Sequence, residues 1–121
     1  MSEDIKERWR TMWAEVDRRH VEAKDSQGAT AELEGRYAEL NDVERNQVNQ
    51  VLFEALEKGS ESERYDALAI INRFNLVEGL EPLRRLAIRL QLDESPGAPF
   101  DLAKVQRFID RLKESSGGCE P

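Results

Sequence analysis

Three short segments of this chain have the residue pattern of a helix capping box, at residues 41–44, 60–63 and 75–78. In this pattern a Ser or Asn side chain caps the start of a helix, and a Glu three positions later caps it in return. Apolar residues at helical spacing follow each segment, and no part of the sequence shows the strict apolar–polar alternation of a half-buried strand. The sequence therefore predicts an all-α protein.

Apolar stripes and the breaks between them predict about six helices, arranged in antiparallel hairpins as a HEAT-like repeat or a compact helical bundle. Two interpretations stay open for residues 30–58. The capping pattern at Asn41 favours a break between two helices, but the apolar residues stay in phase across it, as one long helix would require. The predicted helices cover roughly residues 2–24, 30–40, 42–58, 60–74, 75–91 and 101–114.

Several helix ends can be predicted from single residues. Gly28 supplies the positive φ that ends the first helix, so that the second helix begins near Thr30. Pro82 lies in the second turn of its helix and is expected to bend the axis. Phe100 and Asp101 match a hydrophobic staple and its cap. The tail, residues 115–121, is rich in Gly and Ser and is predicted to be disordered, which leaves residues 1–114 as one helical domain.

The formal net charge of −7 is concentrated in one part of the chain. Residues 25–66 contain eleven acidic and four basic side chains, whereas the segments on either side are balanced. An acidic chain is a poor candidate for binding nucleic acid or an anionic membrane, and no apolar run approaches the roughly 20 residues of a membrane helix. The expected partner is a basic protein.

The cysteine content and the first residues predict a cytoplasmic protein. Cys119 is the only cysteine, so no disulfide forms within the chain, as is usual in a reducing compartment. The first residues, 1–4, lack the basic and apolar regions of a signal peptide.

The sequence predicts no catalytic residues, no metal site and no cofactor. His20 is the only histidine, and it lies at the edge of the first apolar stripe, where we expect it to pack or to contact a partner. No nucleophile–base arrangement, metal-ligand cluster or phosphate-binding glycine loop accompanies it. Trp9 and Trp13 lie on the same stripe, and either both belong to the core or one anchors an interface.

A partner-binding site is predicted on the outer side of the helix 42–58 and in the turn that follows. On a helical wheel, Phe53 falls outside the apolar stripe and among polar residues. Phe53 therefore either packs against a neighbouring helix or contributes an aromatic side chain to an acidic binding face. The predicted partner-binding residues are Gln50, Phe53, Glu54, Glu57, Glu61 and Glu63.

Residues 60–92 resemble a HEAT-type repeat, with a first helix led by Arg64, a short polar turn and a second helix with a Pro82–Leu83 step. Residues 30–58 match this pattern only in length and apolar faces. The resemblance implies stacked helix pairs with one exposed face that holds a protein partner. Some compact HEAT-like proteins are immunity proteins, which are small, acidic and non-catalytic. Two functions follow as expectations: an immunity or inhibitor protein that covers the active surface of a basic toxin, or a helical adaptor within a larger assembly.

Overall fold

The structure, a computed structural model, describes residues 4–117 and has no strand in that range. The predicted all-α class is confirmed, as is the number of helices. A short 3-10 turn, Val77–Gly79, precedes the fifth helix. The helices are α1 (Ile5–Glu22), α2 (Ser26–Ala38), α3 (Asp42–Lys58), α4 (Glu61–Arg73), α5 (Leu80–Leu92) and α6 (Ala98–Gly117).

Two of the three predicted capping boxes are confirmed. The Asn41 side chain accepts from the Glu44 backbone N–H at 2.8 Å, and the Glu44 carboxylate accepts from the Asn41 N–H at 3.0 Å. Ser60 and Glu63 make the same two hydrogen bonds at 3.2 and 2.9 Å. Residues 30–58 are therefore not one helix, because the cap at Asn41 separates α2 from α3.

The third predicted box, at residues 75–78, is wrong. Asn75 has a φ of 52°, and the Leu76 N–H closes back onto the Ile71 carbonyl at 3.1 Å. Asn75 thus terminates α4 in the left-handed conformation that asparagine tolerates. Since α5 begins at Leu80, Pro82 is its third residue, where the missing N–H would have no partner within the helix. The missing N–H therefore breaks no hydrogen bond within α5, and the bend expected at Pro82 stays a prediction.

The start of α2 differs from the prediction by four residues. Lys24, with a φ of 56°, ends α1, and no glycine in the described range has a positive φ. The Asp25 side chain then caps α2 by accepting from the Gly28 N–H at 2.9 Å. Gly28 consequently lies inside α2 rather than in a break before it.

The start of α6 is also earlier than predicted. The helix begins at Ala98, so Asp101 lies within its first turn, and Phe100 is 79% exposed and forms no staple. Pro99 is compatible with this start because a proline in the first helical turn loses no hydrogen bond. Because α6 extends to Gly117, the first part of the predicted tail is helical, and residues 118–121 lie outside the described part of the chain.

The helices pack as three consecutive pairs, α1 with α2, α3 with α4, and α5 with α6. Short turns between packed neighbours make each pair an antiparallel hairpin. The pairs stack in order: α1 contacts α3, α3 contacts α5, and α2 contacts α4. The helix pairs predicted at residues 30–58 and 60–92 are therefore wrong by one helix, because an apolar stripe does not identify the helix that covers it.

One apolar core runs through the three pairs. Trp9 and Trp13 are both buried in it, which decides between the two roles considered for them. Leu68 and Leu83 are buried as well, on α4 and α5.

Removing the cap of α4 tests the observed start of that helix. We expect Ser60→Ala to lower the free energy of unfolding by about 1 kcal/mol, since the Glu63 N–H loses its acceptor. Ser62→Ala is the matched control in the same turn, and we expect it to change stability by less than about 0.5 kcal/mol. Urea denaturation measures both, and equal effects of the two substitutions would contradict this role of Ser60.

Candidate protein-binding surface

The exposed side of α4 lies between two clefts. The first cleft, of about 610 Å³, is formed by α1, the start of α2, and α4. The second, of about 350 Å³, is formed by α4, α5 and α6. Ser62 and Tyr65 line both clefts, and Tyr65 is 51% exposed. We call the exposed residues Glu61, Ser62 and Tyr65 the α4 ridge.

Asp66 forms the inner wall of the first cleft and joins three helices. Its side chain is 4% exposed, and its two carboxylate oxygens accept from different elements. The indole Nε1 of Trp13 on α1 donates to Asp66 Oδ2 at 3.0 Å, and the hydroxyl of Thr30 on α2 donates to Oδ1 at 3.2 Å. These hydrogen bonds compensate the cost of burying a carboxylate in the core.

A second carboxyl group lines the same cleft. Asp17, on α1, is partly buried there together with Asp66. Burial, followed by the adjacent Asp66 and the nearby Glu63, raises the pKa of Asp17 to about 7. His20 acts in the opposite direction but more weakly.

His20 borders the same cleft and is held by acidic neighbours. Its Nε2 lies 3.0 Å from Glu32 Oε1, and its Nδ1 lies 3.7 Å from Asp25 Oδ2. Glu32 also accepts from Arg19 at 2.8 Å and from Arg36 at 3.3 Å. These hydrogen bonds, first from Arg19 and then from His20, lower the pKa of Glu32 to about 2. His20 therefore links α1 to α2, in keeping with the packing role predicted for it.

Charges of both signs surround the second cleft. The Arg64 guanidinium is 3.8 Å from the Asp101 carboxylate, and the Lys104 ammonium lies 5.0 Å from the centre of the Tyr65 ring. The ammonium thus stacks on one face of the ridge tyrosine. Buried side chains of Leu68, Leu90 and Val105 form the apolar wall.

Phe53 packs against a neighbouring element, which is one of the two roles predicted for it. The ring is partly buried against the core. Its Cε1 lies 3.2 Å from the point where a Cβ on Gly79 would be, so the ring abuts the 3-10 turn before α5. Gln50 is exposed on the same helix.

The two glutamates of the predicted site that lie on α3 are exposed but already have partners. Glu54 pairs with Arg10 of α1 at 3.2 Å, and Glu57 pairs with Arg85 of α5 at 2.9 Å. Arg89 also donates to the backbone carbonyl of Glu57 at 2.6 Å. These contacts fix α3 to its neighbours on both sides.

The six predicted residues do not lie in one site. Glu54 and Glu63 line a small third cleft of about 210 Å³, together with Arg10 and Lys58. Glu61 lies on the far side of the α4 start, in the second cleft. Of the six predicted residues, only Glu61 belongs to the α4 ridge.

The sequence analysis missed Asp17, Tyr65 and Asp66. A signal for Asp66 is present, because it lies four residues before Ile70 and therefore on the apolar stripe of α4. Asp17 stands four residues after Trp13 in the same way. An acidic side chain in phase with a buried stripe predicts a buried polar contact. Tyr65, as an exposed aromatic side chain, has no comparable signal.

No group of three or more His, Cys, Asp or Glu side chains among residues 4–117 is placed to hold a metal ion. Within the same residues, no helix is both long and apolar enough to cross a membrane.

The fold and the surface together define a small all-α protein of three stacked helical pairs, with an exposed tyrosine between two clefts. No protein-family model, known protein or solved structure is significantly similar to the chain. The resemblance of residues 60–92 to a HEAT-type repeat therefore stays a prediction.

Proposed function

We propose that this protein is a non-catalytic binding module of the immunity or inhibitor type, acting in the cytoplasm. In this proposal it neutralises a basic toxin or effector by covering the active surface of that partner. The observation that carries the proposal is the α4 ridge, where an exposed tyrosine stands between two clefts on a protein of net charge −7.

The charge around the ridge favours a basic partner. Carboxylates outnumber cations in the first cleft, where Lys24 is the only lysine or arginine among the described lining residues. An acidic surface of this kind accelerates the association of a basic protein, and salt weakens the effect. The carboxylates of the first cleft are Asp17, Asp25 and Asp66.

Tyr65 is suited to the centre of an interface. A tyrosine offers a large, rigid contact area and a polar tip, and this residue type is enriched among the side chains that dominate binding energy. The clefts on either side provide space for partner side chains next to the ring. The stacking of three helical pairs further supports a HEAT-like binding surface.

The glutamates of α3 fit this proposal as the edge of the interface. Their ion pairs with Arg10 and Arg85 join groups that are each more than a third exposed, and such pairs contribute only about 0–1 kcal/mol. Basic side chains of a partner can therefore replace Arg10 and Arg85 at little cost. Glu54 and Glu57 would then influence the association rate more than the final affinity.

A different observation favours the alternative function, a helical adaptor or subunit of a larger assembly. Three large apolar side chains of α5 and α6 are exposed, at 56%, 78% and 79% for Ile88, Leu92 and Phe100. A permanent assembly buries apolar surface of this kind. In that case α5 and α6 would contact the partner and the acidity would be incidental.

A binding experiment with paired variants tests the two functions. The partner is captured from the native host with the purified protein, identified by mass spectrometry, and measured by surface plasmon resonance at two salt concentrations. For the inhibitor, we expect Tyr65→Ala to weaken binding about 30-fold, which corresponds to about 2 kcal/mol. The control Leu92→Ala should leave the affinity unchanged. Charge reversal at Glu54 and Glu57 to Lys should slow association and flatten its salt dependence.

The reverse pattern would support the adaptor instead. Loss of binding on Leu92→Ala or Phe100→Ala, with unchanged binding of Tyr65→Ala, would move the interface to α5 and α6. A captured toxin whose activity is unaffected by the protein would also contradict the inhibitor.

A further inference from the structure

We propose that the first cleft receives an arginine side chain of the partner, whose guanidinium contacts the Tyr65 ring and the carboxylates of Asp17 and Asp25. This inference rests on the proposed function, because it names the chemical group through which a basic partner binds beside the α4 ridge. It concerns the first cleft alone, so a small arginine derivative can test it before the partner is identified.

The charge that lines the first cleft is mostly negative. Its three carboxylates come from different elements: Asp17 from α1, Asp25 from the turn before α2, and Asp66 from α4. The basic side chains among the described lining residues are Lys24 and His20. Three carboxylates face one ammonium group, so the cleft attracts a further positive charge even when the histidine is protonated.

Tyr65 already attracts a cation within the protein. The Lys104 ammonium lies 5.0 Å from the centre of the Tyr65 ring, and Lys104 lines the second cleft. Since Tyr65 also lines the first cleft and is 51% exposed, a cation in the first cleft can contact the same ring. A guanidinium is planar and weakly hydrated, and it stacks on aromatic rings more often than an ammonium does. The ring therefore favours arginine over lysine.

Two of the carboxylates are accessible to a guanidinium. Asp66 is 4% exposed and each of its oxygens already accepts a hydrogen bond, so its charge acts from the wall of the cleft. Asp17 is partly buried and Asp25 is exposed. Asp25 Oδ1 caps α2 at the Gly28 N–H, but a carboxylate has about four lone-pair sites, so acceptor capacity remains. The planar fork of N–H donors of a guanidinium matches such carboxylates.

The apolar part of the first cleft fits the stem of an arginine side chain. Val21 lines the cleft and is 71% exposed, and the buried Ala29 lines it as well. Arginine side chains bury their methylene groups against surface of this kind while the charged end reaches polar groups. The cleft volume of about 610 Å³ lies within the range of small-ligand sites.

The probe for this site is N-acetyl-arginine methylamide, a blocked arginine, added to the whole protein at pH 8, above the pKa of about 7 of Asp17. The Trp13 indole N–H donates to Asp66 at the cleft wall and reports binding in nitrogen–proton correlation spectra. We expect its signal to shift and to saturate. The indole signal of Trp9, which lines a different cleft, should stay in place. N-acetyl-citrulline methylamide, similar in shape but uncharged, should cause no shift.

Matched variants assign the binding to the first cleft. Asp17→Asn turns a charged acceptor into a neutral one and should weaken the binding of blocked arginine about tenfold. Glu22→Gln removes the same charge from an exposed position of α1 that does not line the cleft, and should change the affinity less than about twofold. Tyr65→Leu removes the aromatic face at an exposed position and should weaken binding about threefold. This variant tests the site even if Asp17→Asn fails to fold.

Several results would overturn the arginine site. These are a Trp13 signal unmoved by blocked arginine, an equal shift with blocked citrulline, and equal weakening by Asp17→Asn and Glu22→Gln. Tighter binding of N-acetyl-lysine methylamide would assign the cleft to an ammonium group instead. The proposed function is decided separately, by the affinity of the captured partner for Tyr65→Ala, so either one can fail while the other holds.

Discussion

Replacing Leu83 by alanine is expected to lower the free energy of unfolding by about 2–5 kcal/mol. Leu83 is fully buried on α5, the helix that contacts both α3 and α6. The substitution removes apolar contacts and leaves a cavity that rigid neighbouring helices fill only in part. Since a domain of this size has a total stability of roughly 5–15 kcal/mol, chemical denaturation should show the loss clearly.

Leu92→Ala provides the control for Leu83→Ala. Leu92 ends the same helix but is 78% exposed, so the same chemical change there removes little packing. We expect its effect to stay within about 0.5 kcal/mol. If the two variants unfolded at the same denaturant concentration, the buried side of α5 would be assigned wrongly.

Local signals in the sequence predict helices better than they predict which helices are neighbours. The boxes at Asn41 and Ser60 are satisfied within four residues, so the pattern contains the whole interaction. The pattern at Asn75 looks the same, but there the end of α4 takes precedence, because Asn75 in the left-handed conformation closes that helix. A four-residue pattern does not show whether its first residue ends the preceding helix or caps the next one.

The candidate surface depends on tertiary structure, which explains why sequence reasoning found so little of it. The helical wheel of α3 groups Phe53 with Glu54 and Glu57, but it contains no information on α1 and α5, which supply their partners. A count of charges along the chain likewise ignores the arginines of other helices that pair with these glutamates. Asp66 was predictable as a buried polar residue, whereas its hydrogen bond from Trp13 depends on how α1 packs on α4.

The second large effect is expected at a polar contact inside the core. The Tyr37 hydroxyl on α2 donates to Asn49 Oδ1 on α3 at 2.6 Å, and both side chains are buried. Burial also raises the pKa of Tyr37, so the hydroxyl keeps its proton at neutral pH. Tyr37→Phe keeps the ring against Trp9 and Phe74. The substitution removes the hydroxyl donor, so the buried amide oxygen of Asn49 loses this hydrogen bond. We expect a loss of about 1–3 kcal/mol.

A double variant distinguishes an unpaired polar group from lost packing. Tyr37→Phe combined with Asn49→Leu removes donor and acceptor together, and replacing both partners by apolar groups of similar shape is nearly neutral. The double variant should therefore be more stable than Tyr37→Phe alone, with a coupling of about 1 kcal/mol or more in a double-mutant cycle. Strictly additive losses would mean that this hydrogen bond contributes no coupling, and that α2 and α3 are joined by apolar packing alone.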